Sequence, residues 1–213
     1  MTHLAGPRFA ETLVYCENAM SVLSPDEARR SIIDACRRAW ERGLLSGFNG
    51  NLSLRLGEDC LVTCAGAAKG YLRPDDIVSV HMRSGACAIE AACRPSSELG
   101  MHLALYRARP DAAAIVHVHP VRLLALSLRA AEEDFLRLPL FEAETLRAGL
   151  AFVPALPPGS EALARAAAHA AAPPAVRALW MQRHGLTCLG GTLTQALALA
   201  EELEHLAAVQ LLA

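Results

Sequence analysis

His117 and His119, in the run Ala114-Ile-Val-His-Val-His-Pro120, are the residues of this chain best placed to do chemistry. The run closes a short apolar segment that reads as a strand, and side chains two apart on a strand point the same way. Two imidazoles are then aimed at one spot from a rigid element, which suits a divalent ion of the zinc type. The pair also fits a plainer reading, one buried hydrogen-bonded histidine beside another at a strand end. Three further features bear on the choice. His184-Gly185 lies between two short apolar runs, where a glycine lets the histidine enter a crowded site. Ser96-Ser97-Glu98 opens a helix just before the histidine strand. Gly47-Phe-Asn-Gly50-Asn51-Leu-Ser53 and Thr63-Cys-Ala65-Gly66 are glycine-punctuated turns.

Three neutral imidazoles and one open coordination position make a catalytic rather than a structural zinc site. Such an ion polarises a carbonyl and stabilises an oxyanion or enediolate. Glu98 is then the nearby carboxylate for general acid or base work. Backbone N–H groups of the glycine turns, with the Ser96 and Ser97 hydroxyls at a helix start, form a cradle for an anion. Taken singly, Ser-Ser-Glu is equally a helix cap, Asn49-Gly50-Asn51 equally a turn, and His184 equally a buried structural residue.

The elements that must position these residues follow from the surrounding pattern. Ser24-Pro25-Asp26-Glu27 supplies an N-cap, a first-turn proline and a capping-box glutamate. The helix it starts should run to about Arg42 and bury Ile32, Ile33, Cys36, Ala39 and Trp40. Asn51–Leu56 and Cys60–Thr63 read as a hairpin, and Ile77–His81 as a third strand. Ser96 or Ser97 begins a helix to about Ala108, and Pro120 begins another after the histidine strand. Phe152–Leu156, Leu179–Gln182 and Leu186–Leu189 read as strands, and Gly159–Ala172 as a helix. A last helix runs from Thr192 to about Leu212, with Leu193, Leu197, Leu203 and Leu206 among its apolar positions. Residues 131–150 follow no clear period. The sum is one α/β domain over residues 24–213, preceded by an arm over 1–23.

Composition limits the function classes. The 213 residues are 53% hydrophobic and 20% charged with a net charge of −2, which describes a folded domain and not a nucleic-acid surface. No apolar run reaches the roughly 18 residues that span a bilayer, and no basic-then-apolar leader opens the chain. Seven cysteines without a Cys-x-x-Cys pair read as free thiols in a reducing cytoplasm. Cys60 and Cys64 on one strand read as buried apolar side chains rather than ligands.

Read together, these pieces resemble the class II aldolase/adducin family. The similarity rests on Gly50-Asn51-Leu-Ser53, Leu61-Val-Thr63-Cys-Ala-Gly66, Leu72-Arg-Pro74-Asp-Asp-Ile77-Val78, Ser96-Ser97-Glu98 with His102, and Tyr106-Arg-Ala-Arg-Pro110-Asp. It continues through Ala114-Ile-Val-His117-Val-His119, Arg183-His184-Gly185-Leu and Glu201-Glu202-Leu-Glu204, in family order over roughly residues 25 to 213. The resemblance implies a three-layer α/β/α sandwich with a mainly antiparallel central sheet, assembled as a homotetramer. It implies that His117, His119 and His184 hold Zn2+, with Mn2+ or Co2+ as substitutes, and that Glu98 is the acid/base. Gly50, Asn51, Gly66, Ser96 and Ser97 correspond to positions that hold a substrate phosphate.

The expected activity is zinc-dependent retro-aldol cleavage of a small phosphorylated ketose, an anionic small molecule. Two departures bear on that. Ala65 stands where family aldolases carry a hydroxyl, with Lys69 nearby as a compensating charge, and no tail tyrosine follows the last helix. Decarboxylation, dehydration or epimerisation of a 3-oxo acid or sugar derivative are the alternatives, since all need an enolate stabilised. A non-catalytic assembly module of the adducin-head kind is the remaining alternative. Glu142 and Glu144 in the variable stretch, and His81, His102 and His169, read as surface or structural residues.

Overall fold

A computed structural model describes residues 23–87 and 93–213. Alternating apolar positions place seven strands in one sheet, ordered β3-β2-β1-β4-β7-β6-β5. They are β1 (Asn51–Leu56), β2 (Asp59–Thr63), β3 (Ile77–His81), β4 (Ala114–Val118), β5 (Leu150–Val153), β6 (Ala178–Met181) and β7 (Gly185–Gly190). Every neighbouring pair is antiparallel except β5 with β6. The arm expected over residues 1–23 lies outside the described residues, save for Leu23.

Among the described residues six helices cover the sheet: α1 (Pro25–Glu41), α2 (Leu99–Ala108), α3 (Val121–Ser127), α4 (Phe141–Ala148), α5 (Glu161–Ala171) and α6 (Leu193–Leu212). On β4, Ala114, Val116 and Val118 enter a core shared with α1, α3, α4 and α6, whereas Ile115 enters a second core shared with α2 and α5. Helices therefore lie on both faces, giving the expected α/β/α layering. Each fully buried leucine or isoleucine in these cores contributes roughly 1.5–3 kcal/mol. Among the described residues no helix is long and apolar enough to cross a membrane.

Local signals act as the sequence implies. Ser24 and Glu27 close a reciprocal capping box at the start of α1. Leu193, Leu197, Leu203 and Leu206 of α6 are all buried. Trp40 departs from expectation. The buried stripe of α1 is Ala28, Ile32, Ala35, Cys36 and Ala39, so residue 40 falls at its edge. The residue is 39% exposed, and its ring tilts against Tyr71 with centroids 5.5 Å apart. The stretch without a period, 131–150, contains a 3-10 turn at Glu132–Asp134 followed by α4.

The free-thiol expectation is corrected at two positions. Cys64 and Cys93 form a disulfide, their Cα atoms 6.0 Å apart. The backbone holds these segments together independently, because Ala65 N–H donates to Arg94 O and Ser96 N–H donates to Thr63 O. Cys36, Cys60 and Cys188 are buried free thiols, and burial pushes those of Cys36 and Cys60 up to about 12.

Candidate metal and acid–base site

Strand register assembles the site. His117 on β4 stands opposite Asn51 on β1 and Thr187 on β7, so three polar side chains line up across one sheet face. His119 lies just past the end of β4, where its N–H donates to Leu44 O at 3.1 Å. The next helix, α3, has no side-chain cap of its own. Glu204 on α6 supplies one, accepting from Arg122 N–H and Leu123 N–H at 3.0 Å each. That long-range cap fixes where the chain leaves His119.

His184 arrives from the turn between β6 and β7, beside Arg183 in the left-handed region at φ 60°. Glycine at 185 is required by space. A Cβ there would lie 2.6 Å from Val118 O and 2.9 Å from His119 Cδ2. Gly50 is required for the same reason, since its φ is +70° and a Cβ would come within 2.6 Å of His117 O.

The three rings form a triangle, with centroids 4.9 Å (117 to 119), 4.8 Å (117 to 184) and 5.2 Å (119 to 184) apart. One ring nitrogen from each lies within 4.8 Å of the others, and His119 Nε2 is 3.0 Å from His117 Nε2. Zinc–nitrogen bonds of 2.0–2.1 Å at a tetrahedral angle put two nitrogens roughly 3.3 Å apart. Two imidazole nitrogens this close share either a proton or a cation. His117 Nδ1 is 3.1 Å from Leu186 O and 3.0 Å from Thr187 Oγ1. A carbonyl only accepts, so Nδ1 carries a hydrogen, and Nε2 is the atom turned toward the site: as N–H it donates to the Glu98 carboxylate, and deprotonated it would ligate an ion. Burial, reinforced by the neighbouring imidazoles, lowers His119 to about 3 and lowers His184 as well, which favours neutral rings. The donor set fits a divalent ion of the zinc type.

Glu98 is 5% exposed at the start of α2. Its Oε2 lies 3.0 Å from His117 Nε2 and accepts from Asn51 Nδ2 at 3.0 Å. Its Oε1 faces His184 Nε2 at 3.4 Å but has no hydrogen-bond partner among the described residues. Burial alone would raise this carboxyl. The hydrogen bond and charge of His117, the Asn51 amide and the charge of His184 outweigh it and hold the group well below the usual carboxylate range.

Glu98, His119 and His184 line a cavity of about 260 Å³ together with Gly50, Asn51, Gly66, Ser96 and Ser97. All the residues nominated from sequence thus converge, with His117 fully buried behind the opening. Among the described residues, no hydrogen bond engages the N–H of Gly66 or Ser97. Lys69 also lines the cavity and is only 2% exposed. Its Nζ donates to Ala67 O at 2.7 Å and Phe48 O at 3.4 Å, and burial lowers its pKa. Among the described residues no carboxylate pairs with it.

Sequence reasoning resolved other residues only in part. His102, read as surface or structural, is fully buried and hydrogen-bonded to Asn51; its position four after Glu98 on a helix was the available signal. Pro158 lines the cavity from the loop before α5, a long-range approach with no local signature. His169 is exposed on α5 and His81 sits at the end of β3. Glu142 and Glu144 are exposed on α4.

Comparison with known proteins adds family membership to this geometry. Methylthioribulose-1-phosphate dehydratase of Serratia proteamaculans is 31% identical, over 86% of this chain and 94% of that protein. L-fuculose phosphate aldolase of Methanococcus vannielii is 30% identical over 84% and 92%. 3,4-Dihydroxyphthalate decarboxylase of Terrabacter sp. is 32% identical over 86% and 80%. The chain spans only 33% of a longer bifunctional relative from Nocardia farcinica to which it is 37% identical. Among solved structures, YgbL of Klebsiella pneumoniae superposes with a TM-score of 0.78 at 30% identity, covering 88% of this chain and 89% of that one. The family model described as the class II aldolase and adducin N-terminal domain matches residues 30–211. The chain belongs to the class II aldolase/adducin family.

Proposed function

We propose that this protein is a zinc-dependent lyase that cleaves a small phosphorylated ketose by a retro-aldol reaction. The observation that carries the reading is Glu98 Oε1, a buried carboxylate oxygen without a hydrogen bond among the described residues, in the same cavity as His119 and His184. His117, His119 and His184 would hold the ion, Zn2+ with Mn2+ or Co2+ as substitutes. When bound, the ion would polarise the substrate carbonyl and offset the negative charge that develops on its oxygen.

The chain's own residues supply the rest. Glu98, ionised at rest, takes the proton that the substrate hydroxyl loses as it becomes a carbonyl and delivers it to the carbon left behind when the carbon–carbon bond breaks. Gly66 and Ser97 N–H groups, the Ser96 and Ser97 hydroxyls, Gly50 and Asn51 form the phosphate cradle. Lys69 adds a buried positive charge beside Ala65, where a hydroxyl is missing. A buried ammonium without a carboxylate favours an anionic substrate.

A second reading, decarboxylation of an oxo or hydroxy acid, is favoured by Ala65, because one phosphate hydrogen bond is lost there. The test is a panel of sugar phosphates against 3-oxo and aromatic hydroxy acids, with the zinc-loaded protein and with Glu98→Gln. The reading expects cleavage of a ketose phosphate and a loss of 10²–10⁴-fold in the variant at unchanged zinc content. Turnover of acids alone would install the second reading, and near-normal activity of Glu98→Gln would remove the proton-transfer role.

We also infer a homotetramer. Val121, Leu128 and Phe141 are 65%, 86% and 91% exposed on the stretch from α3 to α4, and exposed large apolar side chains favour assembly. Light scattering should give four times the chain mass. A cytoplasmic location belongs to the same reading, although the Cys64–Cys93 pair removes the free-thiol argument at those two positions.

A further inference from the structure

Behind Glu98, four side chains form an unbroken buried chain of hydrogen bonds across β1 and α2. Asn51 Nδ2 donates to Glu98 Oε2 at 3.0 Å. Asn51 Oδ1 meets His102 Nε2 at 2.5 Å. His102 Nδ1 meets Ser53 Oγ at 2.6 Å, and Ser53 Oγ meets Tyr106 OH at 2.8 Å. Exposure is 4% at Asn51, 2% at Tyr106 and nil at Ser53 and His102, so no solvent completes these contacts.

Only one set of hydrogen positions satisfies all of them. A carboxylate only accepts, so the Asn51 amide must turn its nitrogen to Glu98 and its oxygen to His102. His102 Nε2 must then carry a hydrogen. Burial keeps the His102 ring neutral, its pKa lowered to about 3, so Nδ1 has a lone pair and Ser53 must donate to it. The Ser53 oxygen is left to accept from Tyr106. Every donor in the row points toward Glu98.

We propose that His102, with Ser53 and Tyr106 behind it, is a positioning residue that locks the Asn51 amide and thereby selects which Glu98 oxygen does the chemistry. Oε2 is engaged by the amide, and Oε1 is left bare toward the cavity. Without the hydrogen on His102 Nε2, the Asn51 amide is free to flip and present its oxygen to the carboxylate. The Glu98 side chain then loses its donor and its orientation. The functional consequence rests on Glu98 as the proton carrier proposed above, whereas the hydrogen-bond direction does not.

The test has two readouts. Long-range 15N–1H correlation NMR on metal-free and zinc-loaded protein reports the His102 tautomer directly. The relay requires hydrogen on Nε2 in both, and an Nδ1–H ring would overturn it. Ser53→Ala, which removes the donor to Nδ1, should let the Nδ1–H form appear; an unchanged tautomer there would exclude Ser53 from the relay. The second readout is exchange of carbon-bound hydrogen into D2O, with dihydroxyacetone phosphate as the smallest phosphorylated ketose. His102→Leu should lower the rate at saturating ketose roughly 10–100-fold, with zinc content kept and KM within about threefold. His102→Gln, whose amide nitrogen can replace the Nε2–H donor, should recover most of the rate. Equal loss in His102→Gln and His102→Leu, or wild-type exchange in His102→Leu, would overturn the proposal. If His102→Leu does not fold, Ser53→Ala carries both measurements. Absence of exchange in the wild-type protein would count against the ketose reading, and the tautomer would still decide the relay.

Discussion

Asn51 and His117 are direct partners in the antiparallel register of β1 and β4. That single pairing sets an amide that holds Glu98 beside an imidazole aimed at the same carboxylate oxygen. A slip of one residue in either strand would turn its side chain to the opposite face. Glycine at 50 lets the backbone lie this close to His117 O, since a Cβ there would come within 2.6 Å of it.

Removal of one imidazole should disable metal retention. His184 is brought by a turn and not by the strand that bears the other two, so His184→Ala should leave the sheet intact. Zinc affinity should fall by at least tenfold, measured by competition with a chromogenic chelator, with an unchanged far-ultraviolet circular dichroism spectrum. Unchanged affinity would remove His184 from the ligand set.

Gly185→Ala tests the packing that admits His184. The new methyl would meet Val118 O at 2.6 Å and His119 Cδ2 at 2.9 Å, and the first of these is backbone. Overpacking of this kind typically costs about 1–3 kcal/mol. The variant should melt lower in urea and bind zinc more weakly, because two ligand rings must shift. Equal stability and affinity would show that the turn yields without cost.

Glu204→Ala should destabilise the protein by about 2 kcal/mol, read as a lower urea midpoint at an unchanged slope. The loss has two sources: two N–H groups of α3 lose their acceptor, and the Leu123 N–H is buried. Glu204→Gln should recover part of it, since an amide oxygen still accepts one of the two. A neutral Glu204→Ala would show that water replaces the cap.

Metal-free protein should lose stability on acidification below about pH 6.5, in part through His102. Burial, with the neighbouring His117 charge, lowers its pKa to about 3, partly offset by Glu98. Between that value and the unfolded value near 6.5 the unfolded chain binds the extra proton. Stability from this group is therefore complete above the unfolded pKa and falls as pH drops toward 3, by up to about 1.4 kcal/mol per unit. The pH dependence of the urea midpoint for wild type and His102→Gln measures it, and identical slopes would refute the contribution.

Much of the site was legible in the sequence. His117 and His119 two apart, Ser96-Ser97-Glu98 at a helix start and His184-Gly185 at a strand junction each encode a local geometry. Their chemistry restricts what they can do together. Most of the strands, the capping box of α1 and the leucine stripe of α6 were legible for the same reason, because period and caps act over a few residues, whereas the strand read as Phe152–Leu156 is Leu150–Val153. Trp40 was misplaced because it sits one step past the buried stripe, where a local count cannot tell edge from core. Lys69 could be named as a charge from its place after Gly66, but not as a buried one.

The rest was decided by contacts between residues distant in the chain. Asn51 reaches Glu98 across 47 positions and Ser53 reaches Tyr106 across 53, Glu204 caps a helix 82 positions earlier, and Cys64 pairs with Cys93. Sequence determined which groups were present and which way each local element points them. The tertiary structure decided which of them meet, because strand register and helix packing are settled by burial of the whole core and no short segment carries that information.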